Sequence, residues 1–519
     1  MAGGIRLASD RKIIFIGLDG VPWDVVQNSR AFTAIKRIAE RGRWGRPKSV
    51  PPSTFPGWTT LTSGVNPGKH GLFEFTSFKV VDGEVTTRIN TSLDIMYPRI
   101  HEILTLKRLR SIVMNLSPSF PPIPINGVLI SDWLSPRKFV WPREMSWLAD
   151  MYVEKPFLAR GEGFIKGVER SVKSKVEIAK ALFEDEMWTL FLMIFSEPDW
   201  LMHRYYADIV ASKGRPTKAL SYISDFVRWV EKRMPANSVL VIASDHGMGT
   251  GEFIVRPNVV LANAGILKVK MGGPGEKPFK SAIELLHSKQ YVGQSTPRGS
   301  ISSFLASLLP HRLIRAVPRR LALKLSWVFG LHYTPMIDCS SSRAFMPDDF
   351  TYGIYINEAT ASFSYSRALV KIFARAFEKG ALSWPFELLA PREEVYRGPF
   401  VRRAPHVVLV PRRGFELSSS LLGQPLEPMR VVGHTVDAIL VFYGDDVRSD
   451  GAELENVNMC DVAPTLLYYL SLPVPEDADG QVLIDVFREE AVDQKLRRAN
   501  YLTVWRAWRK ARALRGRKP

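Results

Sequence analysis

Four apolar runs in this chain read as buried strands, and each has carboxylates or imidazoles close to one end. Ile13-Ile14-Phe15-Ile16-Gly17-Leu18 leads into Asp19, and Leu190-Phe191-Leu192-Met193-Ile194-Phe195 leads to Asp199 and His203. Val239-Leu240-Val241-Ile242-Ala243 comes just before Asp245-His246, and His434 lies just ahead of Ala438-Ile439-Leu440-Val441-Phe442. Strands this apolar need cover on both faces, which argues for a mostly parallel sheet between layers of helices. In an open sheet of that kind, ligands gather at the carboxyl ends of the strands. Side chains hundreds of residues apart can therefore meet. Three Asp and three His, with a hydroxyl from the segment 51–64, suit two divalent metal ions and a nucleophile.

The segments between the runs support strand-helix alternation. Helical patterns cover Ala31–Arg41, Val168–Glu184 and Ala219–Lys232, the last with Ile223, Phe226, Val227 and Val230 on one face. Ser111–Leu116 and Gly127–Ser131 are strand-like. The texture changes after about residue 265, where Gly272-Gly273-Pro274-Gly275 signals a loop. The expected fold is a doubly wound, mostly parallel α/β sheet with an inserted cap. Residues 11–265 form the first part of the core, 266–400 the cap, 401–486 the second part of the core and 487–519 a basic C-terminal tail. A chain of 519 residues is long enough for this arrangement.

Several classes are disfavoured. No apolar run approaches the roughly 18 residues of a spanning helix. The run after Arg11-Lys12 is shorter than a secretory core, and two cysteines, Cys339 and Cys460, cannot build a disulfide framework. The expectation is a cytoplasmic protein, with a peripheral membrane location as the alternative. The reason for the second description is a net charge of +18, concentrated in Arg312–Lys324 and Arg506–Lys518. Solvated charge is the ordinary account; weak contact with an anionic membrane surface is the sharper one. No helix-turn-helix, zinc-finger or RNA-binding signature is present, so specific nucleic acid recognition is not expected.

Each candidate residue has a plain alternative when taken alone. Pro56 suits a first helical turn, which puts Thr54 at or beside the N-cap, where it could simply cap. The same helix start could stabilise an anion through its free N–H groups. Asp199 and His203 share a face at i, i+4 spacing, yet a surface Asp–His pair is common. Asp245-His246 after a fully apolar strand is a stronger signal, because burying two ionisable groups is costly without a partner. His434 alone reads as a core histidine.

The combination is more specific. Gly17-Leu18-Asp19-Gly20, Pro52–Gly64 followed by Asn66-Pro67-Gly68-Lys69-His70-Gly71, Asp199…His203, Ser244-Asp245-His246-Gly247-Met248 and Gly433-His434 occur in that order. So arranged, they resemble the alkaline phosphatase superfamily, in its type I phosphodiesterase / nucleotide pyrophosphatase branch. The resemblance spans about residues 11–485. It implies that Asp199, His203 and His434 hold one metal, and that Asp19, Asp245 and His246 hold the other beside a Thr54 nucleophile, with Ser53 as the fallback. The mixed oxygen and imidazole set suits zinc best, with manganese or iron as alternatives.

Where the family carries an Asn after the Phe-Pro pair, this chain has Gly57 and then Trp58, which we assign to substrate binding, Trp58 as an apolar wall. His406 stands where relatives often carry Asp and reads as structural. A sulfatase is excluded, because neither cysteine lies near Thr54. The expected function is metal-dependent hydrolysis of a small phosphoric ester through a phospho-threonine, with diesters preferred over monoesters. The alternatives are a phosphomonoesterase or phosphoryl transferase of the same superfamily, and a catalytically silent membrane-surface protein.

Overall fold

Along the first strand, β1 (Lys12–Leu18), residues alternate between two cores. Ile14, Ile16 and Leu18 enter one apolar cluster, while Ile13 and Phe15 enter another on the opposite face. A strand that is apolar at every position is stable only when both faces are covered, and here both are. The computed structural model describes residues 11–81, 84–152, 159–185, 187–271, 335–361, 365–378, 384–492 and 494–515.

The large sheet is built, in chain order, from β1, β2 (Arg43–Gly45), β3 (Ser111–Met114), β4 (Gly127–Ile130), β5 (Val140–Trp141), β6 (Leu190–Phe195) and β7 (Ser238–Ala243). A small second sheet uses β8 (Gly247–Val255), β9 (Phe415–Leu417) and β10 (Leu426–Thr435). The chain then returns to the large sheet with β11 (Leu440–Tyr443) and β12 (Glu453–Leu454). The nine strands lie in the order β12-β2-β11-β7-β1-β6-β3-β4-β5. The five from β7 to β4 are mutually parallel, and β11 and β5 flank them in antiparallel orientation.

One face carries helices α1 (Thr33–Glu40), α3 (Gly161–Phe183), α4 (Glu197–Val210) and α5 (Gly214–Glu231); the other carries α2 (Thr54–Ser63) and α7 (Val462–Tyr469). This is the doubly wound α/β arrangement expected. The described part of the cap has its own core. Strands Ala344–Phe345, Gly353–Ile356, Phe386–Pro391 and Val407–Pro411 form a four-stranded sheet, packed with helix α6 (Ser366–Glu378). The strand at 407–411 read from sequence as a return to the main core. It pairs instead with Gly353–Ile356 and Phe386–Pro391. An apolar run says that a strand is buried, not which sheet buries it.

The basic tail is also more structured than its composition suggested. Helix α8 (Tyr501–Arg515) buries Tyr501 and Trp505, and the Arg509 guanidinium donates to the Ile95 carbonyl at 2.6 Å. The basic stretch Arg312–Lys324 lies outside the described residues. Among the described residues, no helix is long and apolar enough to cross a membrane.

Candidate functional site

β1 lies between β6 and β7, parallel to both, and the register ends all three strands at one level. Leu18 is opposite Phe195, and Gly17 is opposite Ala243. The next residues out are Asp19, the Ser196–Asp199 turn and Ser244-Asp245-His246. The fourth contribution comes from β10, where His434 pairs with Met248 of β8. A reciprocal clasp holds this corner: Ser244 N–H donates to the Ile439 carbonyl at 3.0 Å, and Ile439 N–H donates to Ser244 Oγ at 2.9 Å.

The predicted ligands converge. His246 Nε2 is 3.5 Å from Asp19 Oδ1 and 3.3 Å from Asp245 Oδ2. Asp199 Oδ1 lies 3.4 Å from His203 Nε2 and 3.2 Å from His434 Nε2, and those two ring nitrogens are 3.1 Å apart. The rings of His246 and His434 stack at 3.9 Å, joining the halves. Two groups could each hold a metal ion: Asp19, Asp245 and His246, and Asp199, His246 and His434. His246 thus belongs to both, and His203 approaches the second from its open side.

The chemistry of this donor set fits cations. His246 Nδ1 lies 3.0 Å from the Gly247 carbonyl and His434 Nδ1 lies 3.0 Å from the Pro52 carbonyl. A carbonyl only accepts, so each Nδ1 carries the proton and each Nε2 turns a lone pair into the site, the usual anchoring of a ligating histidine. His203 likewise donates to the Val432 carbonyl. Unprotonated ring nitrogens at 3.1 Å repel one another and the carboxylates unless something positive lies between them.

The carboxylates show the same strain. Burial, with Asp245 and Asp199 adding to it, pushes Asp19 well above the usual range, and burial does the same to Asp245. Burial works to raise Asp199 as well, but with no cation between them His203 and His434, as proton-bearing rings, supply the counter-charge and hold that carboxyl well below. Among the described residues, no Lys or Arg forms an ion pair with any of the three.

Thr54 is the first residue of α2, and Ser53, in extended conformation, occupies the cap position without a capping side chain. The Thr54 hydroxyl does not cap. It lies 3.3 Å from His246 Nε2 and 3.5 Å from Asp19 Oδ1. The helix therefore presents uncapped N–H groups and its positive dipole end to the cluster, as an anion site requires.

Two assignments need correction. Trp58 is fully buried, packed edge-on against Phe15 with ring centroids 6.4 Å apart, and lies in the core under α2. It offers no wall to a substrate. A residue one turn along from Thr54 faces the sheet because α2 stands on it. Gly57 is a close-approach position: a Cβ there would lie 2.6 Å from the Asp245 carbonyl oxygen. Its N–H is spent on the Ser53 carbonyl at 2.9 Å, so it holds no substrate. His406 is structural, as expected. Its Nδ1 accepts from Ile356 N–H at 3.1 Å, and burial pushes the ring down to about 4.

Sequence reasoning missed Glu416, which faces His203 from β9. Burial raises its carboxyl to about 7, with His203 pulling the other way. No motif or periodicity flags it, since its position depends on how the small sheet folds over the large one.

Comparison with known proteins agrees with the fold. A search of curated proteins finds no match. Among solved structures, murine ectonucleotide pyrophosphatase / phosphodiesterase 5 is similar over 92% of this chain and 100% of its own, at 12% identity and a TM-score of 0.53. The human form is similar at 13% identity and a TM-score of 0.51 over 92% and 100%. The alkaline phosphatase PafA is similar at 14% identity and a TM-score of 0.54 over 94% and 100%. At such identities the likeness speaks for the fold alone. The model of the type I phosphodiesterase / nucleotide pyrophosphatase family, by contrast, matches residues 13–424, which take in α2, all three aspartates, His203 and His246. The chain belongs to that family, and its activity is that of a phosphoric ester hydrolase.

Proposed function

We propose that the protein is a two-metal hydrolase of phosphodiester or pyrophosphate bonds that uses Thr54 as its nucleophile. The observation that carries this reading is the Thr54 hydroxyl, turned away from its own helix end and toward His246 and Asp19. Asp19, Asp245 and His246 would hold one ion and Asp199, His203 and His434 the other. Bound divalent ions, zinc best by ligand type, supply positive charge that favours the attacking and departing oxygens.

The chain's own groups do the rest. The uncapped start of α2 orients a non-bridging phosphoryl oxygen with its N–H groups. Asp19 is placed to accept the Thr54 proton as Oγ1 bonds to phosphorus and the bond to the leaving oxygen breaks. The leaving group departs on the Asp199–His434 side and takes a proton from water. Water then attacks the phospho-threonine from that side, which releases phosphate or a phosphomonoester and returns the proton to Thr54. Among the described residues no Lys or Arg forms an ion pair with the carboxylates, which suits a singly charged diester better than a dianion.

The test is Thr54→Ala beside Thr54→Ser. Loss of a cap alone would cost about 1 kcal/mol and leave turnover intact. We expect Thr54→Ala to lose several orders of magnitude in kcat with its Tm nearly unchanged, and Thr54→Ser to retain part of the rate. A Thr54→Ala protein active per folded molecule would defeat the assignment, and Ser53→Ala, run in parallel, checks the fallback. Relative kcat/KM for an aryl monoester and its methyl diester decides between diesterase and monoesterase.

A further inference from the structure

Past His203 the cleft meets a carboxylate that the reaction above does not use. The Glu416 side chain lies directly on Gly433: a Cβ at 433 would be 1.6 Å from Glu416 Oε2 and 2.3 Å from its carboxyl carbon. The Glu416 carboxyl group occupies the space a side chain at 433 would need, so any larger residue there would have to displace it. Glu416 is half-buried, its carboxyl group lies within electrostatic reach of His203 and accepts from the Leu417 backbone, and it forms no ion pair with a Lys or Arg among the described residues. One backbone hydrogen bond leaves most of the acceptor capacity of this carboxylate unused, and further donors would offset the cost of its burial.

The two ends of the site differ in access. The side chains of Asp19, Asp245 and His246 are at most 2% exposed, whereas that of His203 is 40% exposed. With Thr54 attacking from the sealed end, an in-line displacement sends the leaving group toward the open end. Its substituents must then pass His203 and approach Glu416.

We propose that Glu416 determines leaving-group specificity by accepting a hydrogen bond from a hydroxyl or ammonium group on the departing alcohol. This rests on the Thr54 reading, which sets the direction of departure. A hydrogen bond to a charged acceptor in such a site is worth about 1.5–3 kcal/mol, or roughly 10- to 100-fold in kcat/KM. A leaving group that carries its own negative charge is disfavoured by the same carboxylate.

The experiment uses methyl phosphodiesters of 4-nitrophenol that bear a methyl, hydroxymethyl, aminomethyl or carboxylate group at the meta position. With the native protein, hydroxymethyl or aminomethyl should exceed methyl by about tenfold or more, and carboxylate should fall below it. The larger of the two donor arms identifies hydroxyl or ammonium as the natural group. In Glu416→Ala the donor-to-methyl ratio should collapse to about one. Glu416→Gln should lose the ammonium preference while keeping part of the hydroxyl one, and it remains informative if the alanine variant folds poorly. A flat native profile, or a preference that survives both substitutions, overturns the role of Glu416. A Thr54→Ala protein that still turns over would instead overturn the reading beneath it.

Discussion

Gly57→Ala tests the site where the packing is tightest. The added methyl would sit 2.6 Å from the Asp245 carbonyl oxygen and 2.9 Å from its Cβ, against about 3.4 Å for an ordinary contact. Both obstructing atoms are on or next to backbone, so no side-chain rotation relieves the overlap. Either α2 or the Asp245 turn must move by roughly 0.5–0.8 Å, a range taken from that shortfall. Overpacking of this kind costs about 1–3 kcal/mol, and the better helix propensity of Ala offsets about 1 kcal/mol of it. Net destabilisation should be about 0–2 kcal/mol, a few degrees in Tm at most for a chain of this size.

Activity should respond far more. Thr54 is one turn earlier on α2, and Asp245 and His246 are on the element displaced, so both sides of the 3.3 Å Thr54–His246 contact shift. Misplacement of reacting groups by about 1 Å can cost about 100-fold. We expect kcat/KM for an aryl diester to fall about 100-fold in a protein whose urea midpoint scarcely changes. The reasoning is refuted if Gly57→Ala keeps kcat/KM within threefold of native with full metal content.

Three further outcomes are expected. Metal-loaded protein should contain close to two equivalents of divalent ion by elemental analysis, and Asp245→Ala and His434→Ala should each lose at least one; a content near zero, or indifference to both, excludes the two-metal arrangement. Buried His70 accepts from Leu72 N–H through Nδ1 and contacts Thr60 Oγ1 through Nε2, and burial pushes it down to about 3. The unfolded chain therefore binds the proton first, so this stability is complete above about pH 6.5 and is lost as pH falls toward 3, by roughly 2 kcal/mol at pH 5. In urea titrations His70→Gln should be correspondingly less acid-sensitive, and an unchanged pH slope would contradict this. Arg506 and Lys510 lie on the exposed face of α8, so any membrane contact should favour anionic over neutral vesicles and weaken with salt; equal sedimentation with both retires that expectation.

The sequence by itself determined the sheet. β1, β6 and β7 are legible because strands buried on both faces must be apolar at every position, and the carboxylates after them are legible because a polar group there stands at a strand end. The pairing of Asp199 with His203 follows from helix periodicity alone. Only the tertiary structure decided which histidines come together, since His246 and His434 meet through the pairing of β8 with β10, 186 residues apart at Met248 and His434. It also decided which neighbours of Thr54 face substrate and which face the core. Gly57 and Trp58 follow Thr54 by one helical turn in sequence, but a helix standing on a sheet turns one side down, and these two residues are on that side. Glu416 shows the converse: nothing near it in sequence suggests a role, and its carboxylate comes within reach of His203 through the folding of the small sheet, over the space that Gly433 leaves on another strand.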